Sequence, residues 1–146
     1  MDLQVDDFYR DAAAGLLILY QAFPRKITLY VDDLIGHQEF DEFGLPSTRH
    51  QSCLGALLWL AEEGYLRFDS TLQYLALEQA VLTEKAFLRL TATAAGADSR
   101  EPLPPSVRRV RSSLANELRQ ALRDGDGERL AQLTHQLLGA GLRGEP

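Results

Sequence analysis

Three histidines, one cysteine and a few adjacent carboxylates are the residues whose types could do chemistry. His50 and Cys53 stand three apart, a spacing that lets two side chains on one helix share a metal ion. Two ligands without a third nearby do not make a zinc site, and His50 reads as a polar residue at a helix start. Asp124-Gly125-Asp126-Gly127 opens like a calcium loop, but Arg129 and His135 stand where that loop needs glycine and glutamate, so it reads as a turn. His37 falls in a loop, His135 on a polar helix face, and Asp41 and Glu42 are paired only by adjacency. The chain contains neither a Gly-x-Ser-x-Gly elbow nor a glycine loop that would cradle phosphate. The expectation is a non-enzymatic chain with no catalytic residue, no metal and no cofactor.

The elements that would position any site follow from periodicity and punctuation. Phe8, Ala12, Leu16, Leu19 and Phe23 recur at helical steps, with Asp6 or Asp7 as cap and Pro24 as stop. Ile27-Thr28-Leu29 is β-prone, and a short helix over 30–35 ends at Gly36. The stretch 37–46 is an acidic loop carrying Phe40 and Phe43. Thr48 with Gln51 fits a capping box and opens a helix over 48–63 that Gly64 stops. Residues 65–68 and 72–77 read as strands about a turn at Asp69-Ser70-Thr71, and Thr83 caps a helix to about Leu90. Pro102, Pro104 and Pro105 cannot continue a helix, so 92–105 reads as an Ala/Pro-rich connector. Beyond it, Val107, Val110, Leu114, Leu118 and Ala121 form one apolar stripe and Leu130, Leu133, Leu137 and Leu138 a second. The fold class is mostly α with a small β-hairpin, and residues 106–146 form a helical hairpin.

Charge and composition narrow the partners. The net charge is −6 over 146 residues. Residues 1–95 carry seven basic and fourteen acidic side chains, while 96–146 carry eight and seven. A single cysteine excludes an internal disulfide and suits a reducing cytosol. The acidic Met1–Asp7 stretch is unlike a signal peptide. The longest apolar run, Ala12–Tyr20, has nine residues against the roughly 20 that span a bilayer. A cytoplasmic protein without a membrane partner is expected.

Residues 57–66 (Leu-Leu-Trp-Leu-Ala-Glu-Glu-Gly-Tyr-Leu) and 82–87 (Leu-Thr-Glu-Lys-Ala-Phe), in the order helix, strand, helix, helix, hairpin, helix, resemble the winged helix-turn-helix superfamily. The resemblance covers about residues 6–91 and implies a winged-helix domain over 1–91, with helix 48–63 in the place of the recognition helix. In DNA-binding members, the outward face of that helix would meet the major groove.

At 100° per residue, Leu54, Leu57, Leu58 and Ala61 face the core. Arg49, Ser52, Ala56, Trp59 and Glu63 face outward, as candidate contacts to protein or nucleic acid. Only one of these is cationic, and the turn 69–71 carries none, whereas duplex affinity comes largely from Lys and Arg on phosphates. A basic stripe of Arg108, Arg109, Arg119 and Arg123 lies opposite the first apolar stripe of the hairpin. The hairpin cannot bury both stripes against itself, so a homodimer through 106–141, or docking on the winged unit, is expected. The reading is a winged-helix protein-interaction module that binds another protein or itself. Its alternative is a DNA-binding transcriptional regulator that places helix 48–63 on duplex DNA.

Overall fold

The computed structural model describes residues 3–97 and 102–139. Residues 98–101 of the expected connector and 140–146 of the expected hairpin unit lie outside them. Seven helices and a small antiparallel sheet of four strands make up the described residues, a mixed α+β fold.

Helix α1 (Leu3–Ala22) places Ala12, Ala13, Leu16, Leu17 and Leu19 in the core. It already contains Asp6 and Asp7, which are therefore not its caps. Strand β1 (Ile27–Tyr30) leads into α2 (Val31–Ile35), which ends at Gly36 with a φ of 81° that favours glycine. Helix α3 (Thr48–Glu62) is capped one residue earlier than expected: Ser47 Oγ accepts from the His50 amide at 3.1 Å. Gln51 turns back instead, and its amide donates to the Pro46 carbonyl.

The sheet departs from the expected hairpin. It comprises β2 (Leu66–Arg67), β3 (Ser70–Leu72) and a long β4 (Ala76–Leu82). β4 pairs with β1 on one side and with β3 and β2 in turn on the other. The tight turn is Leu72–Leu75, with Gln73 at φ 50°, and not Asp69-Ser70-Thr71. Gln79 at φ 56° sits where the β1–β4 register shifts. That irregularity breaks the alternation of β4, so Ala76 and Leu77 are buried, and so again are Ala80, Val81 and Leu82. A two-residue period finds only the first half of such a strand.

Thr83 caps α4 (Glu84–Thr91), accepting from the Ala86 amide as expected. The stripe expected from Val107 to Leu122 is two helices, α5 (Pro105–Arg111) and α6 (Leu114–Asp124). Ser113 interrupts it, capping α6 through the Asn116 amide and bridging to Thr93. Gly125 at φ 66° ends α6, and Asp126 caps α7 (Gly127–Gly139).

Helices α6 and α7 pack on each other and on α1 and α4. Leu114, Leu118, Leu133 and Leu137 belong to the same apolar cluster as Leu16, Leu57 and Leu77. The expected division at 92–105 is thus not a division of the core. Tyr65 donates to the Leu138 carbonyl, and Arg89 donates to Tyr65 and to the Leu137 carbonyl, closing the end of α7. Of the stripes that suggested a homodimer through 106–141, Leu114, Leu118, Ala121, Leu130, Leu133 and Leu137 are filled within one chain, while Val107 and Val110 stay exposed. Among the described residues no helix is long and apolar enough to cross a membrane.

Candidate interaction face

Helix α3 is rotated from its expected setting. Ser52, Trp59 and Glu63 are exposed, together with Gln51, Gly55 and Glu62. Ala56 is buried at 4% exposure, contrary to expectation, and so are His50, Cys53 and Leu60. Leu58 and Ala61, expected inside, are only half-buried. The helix is wedged between α1 and α2, so neighbours on two sides claim residues that a single apolar stripe does not include.

Arg49 is not presented outward. Its Nη1 and Nη2 donate to the two Asp11 oxygens at 2.7 and 2.6 Å, and its Nε lies 3.8 Å from Asp7. Asp11 is 3% exposed, so this bidentate pair is an internal tie between α1 and α3. The hydrogen bond to Asp11 raises the Arg49 pKa above its ordinary value and keeps the guanidinium charged.

Cys53 lies beside this pair and is fully buried. Burial, and then the Asp11 carboxylate, push its thiol from 9.0 up to about 12. The folded state therefore holds this proton more tightly than the unfolded chain does. Its stabilising contribution is complete below pH 9.0 and is lost as pH rises towards about 12. A thiol reagent at mildly alkaline pH is expected to leave the native chain unlabelled and to label it fully in denaturant. Rapid native labelling would contradict the burial.

Trp59 packs on its own chain. The Phe8 ring of α1 meets it edge-on at 5.3 Å, and 39% of the tryptophan remains exposed.

His50, which reads from sequence as a helix-start residue, is a clamp. Its Nε2 donates to the Tyr74 carbonyl at 2.6 Å, tying the β3–β4 turn to α3. Nδ1 has no hydrogen-bond partner and faces Asp32 at 4.0 Å. Phe40 stacks edge-on against His50 and approaches Tyr74. The His37 pKa is raised by its hydrogen bond to the same Asp32 carboxylate. Among the described residues no group of three or more histidine, cysteine or acidic side chains could hold a metal ion.

The clamp shapes a groove of about 410 Å³ lined by Leu45, Pro46, Gln51, Leu54, Gly55, Leu58 and Tyr74. The loop above it is built by Asp41, whose Oδ1 accepts from the Phe43 and Leu45 amides at 2.9 and 2.8 Å. Gly44 at φ 77° closes that turn. The result is a loop that holds Phe43 in solvent at 79% exposure, near exposed Leu45, which shares the groove with exposed Tyr74. Phe43 stands out in the sequence, and so does Gly55 as a small residue beside Trp59, whereas Leu45 and Tyr74 do not.

A search finds no matching family model, no matching curated protein and no matching solved structure. The site therefore rests on its own geometry.

Cations are scarce on this face. Lys85 donates to the Glu63 carbonyl and covers the Tyr65 ring, so it closes the end of α3. The turn 72–75 carries no charge, and Arg67 on β2 is exposed. The expected basic stripe is divided by the break at Ser113. Arg108 and Arg109 are exposed on α5, Arg123 is exposed near the end of α6, and half-buried Arg119 reaches Asn116 and Gln21.

Gly55 has open space where a Cβ would stand. Gly55→Ala is expected to stabilise the fold by about 0.5–1 kcal/mol, measured by chemical denaturation. A loss of stability would show that the backbone there is already in contact. The glycine leaves the floor of the groove open to close approach by a partner.

Proposed function

We propose that this chain is a non-enzymatic winged-helix protein-interaction module, a regulatory or assembly component that docks a partner in the groove between α3 and the β3–β4 turn. The order of elements supports the winged-helix part of this reading, with α3 before the hairpin and β4 at the centre of the sheet beside β1. The observation that carries the docking part is the use made of Arg49. The one cation on the α3 face is committed to buried Asp11, and what that face offers instead is Phe43, Leu45, Leu58 and Tyr74. Phosphate contacts need available Lys or Arg, whereas an apolar groove suits a protein surface. Gln51, the polar residue that lines the groove, donates to the Pro46 carbonyl, and His50 and Asp41 hold the turn and loop on either side of it, which fits docking better than catalysis. Its single thiol, buried and unpaired, fits a reducing cytosol.

Two measurements on one preparation test this. Binding to random-sequence duplex DNA at physiological salt is expected to be no tighter than the non-specific range of about 10⁻⁴–10⁻⁶ M. Cross-linking in host extract is expected to join a protein to the wild-type chain and to lose it with Gly55→Glu, which places a charge in the groove without steric conflict. Submicromolar duplex binding weakened by Gly55→Glu would overturn the proposal in favour of a DNA-binding regulator.

A further inference from the structure

Helix α5 is the least explained element of the fold. None of its residues is buried, and its apolar side chains, Val107 and Val110, are exposed, the latter at 67%. Seven residues are too few for a helix to hold itself together in water, yet its end is carefully built. Ser112 Oγ donates to the Arg108 carbonyl, Ser113 Oγ to the Val110 carbonyl, and the Asn116 amide to the Arg111 carbonyl. The Ala94 amide donates to the Ser112 carbonyl, and the Leu114 amide to the Ala92 carbonyl, pinning the segment after α5 to the segment after α4. The helix is thus anchored, with α6 as its main neighbour, while two valines one turn apart face solvent and Arg108 and Arg109 are exposed around the helix from them.

The groove beside α3 has the complementary character. Its lining is apolar apart from Gln51, and the loop that supplies Leu45 and Pro46 to it carries exposed Glu39, Asp41 and Glu42. A short helix with valines on one face and long arginines on its flanks complements a mainly apolar trough next to an acidic loop in apolar character and in charge. We infer that the groove is occupied by α5 of a second copy of this chain, with Val107 and Val110 over Leu54, Gly55 and Leu58, and Arg108 and Arg109 against the acidic loop. This rests on the docking reading above and names its partner. It also replaces the self-association expected through 106–141, whose leucines are spent inside the chain, by one through 105–111 alone. The contact is small, so the association is weak unless a two-fold arrangement uses it twice.

Sedimentation of the full chain across the micromolar range, at low and high salt, is the test. Self-association that weakens with salt is expected for the wild type. Val110→Asp and Gly55→Arg are each expected to weaken it by about tenfold or more. Both positions are open in the structure, and unchanged circular dichroism and melting confirm the fold. An equimolar mixture of the two variants is expected to associate more tightly than either variant alone, through the one contact that an intact groove and an intact α5 still make. A wild-type chain that is monomeric throughout overturns the inference and leaves the docking reading to its own test. Association lost with Gly55→Arg but kept with Val110→Asp also overturns it, since the groove then takes another part of the copy. Association lost with Val110→Asp but kept with Gly55→Arg places α5 elsewhere and overturns it too, as does association that neither variant disturbs.

Discussion

Arg49→Ala is expected to destabilise the folded chain by about 3 kcal/mol, the lower end of what breaking a buried ion pair costs. The lower end applies because the arginine side chain keeps 30% of its surface in water while Asp11 keeps 3%. Removing the guanidinium leaves the Asp11 carboxylate without the two hydrogen bonds that its burial requires. Adding Asp11→Ala to the same chain is expected to recover about 1–3 kcal/mol, a coupling that denaturation of the four chains of a double-mutant cycle reads directly. An Arg49 that served a ligand would behave in the opposite way, lowering affinity while leaving stability alone. The experiment therefore separates an architectural arginine from a reading one.

Leu118→Ala is expected to cost about 2–5 kcal/mol, because Leu118 is fully enclosed between α6 and the rest of the core. The form of the transition matters as much as its midpoint. Trp59 lies on α3, far in sequence from Leu118, and its fluorescence is expected to follow the same single unfolding curve as far-ultraviolet circular dichroism, in wild type and variant alike. Two separated transitions, with the tryptophan signal unmoved by Leu118→Ala, would mean that the C-terminal helices fold apart from the rest.

What could be read from the chain beforehand was whatever local chemistry decides. Pro24, Gly36, Gly64 and Thr83 mark element ends because a missing amide, a left-handed backbone or a capping hydroxyl acts over a few residues. The α+β class and the order of elements up to α3 followed from such marks and from the helical stripe of α1. The failures each involve a partner distant in sequence. Arg49 and Asp11 are thirty-eight positions apart, and nothing in either neighbourhood announces a buried pair. The setting of α3 depended on how α1 and α2 flank it, so Ala56 and Leu58 exchanged places. The bulge at Gln79 hid half of β4 from a two-residue period, and the serine pair 112–113 was read through as helix. The candidate site followed the same rule: Phe43 stood out as an aromatic residue in an acidic loop, whereas the groove beneath it exists only once His50 has joined Tyr74 to α3.

The position of α1 has a consequence during synthesis. Its leucines are covered by α3, β4, α6 and α7, every one of which follows it in the chain. Leu137 leaves the ribosome about 115 residues after Ala22, which at roughly 5–20 residues per second is on the order of ten seconds. Through that interval the nascent helix carries Leu16, Leu17 and Leu19 without their final cover, and the later helices arrive to find it waiting. Translation speed over the residues from 23 to 137 then sets how long these leucines wait for their cover.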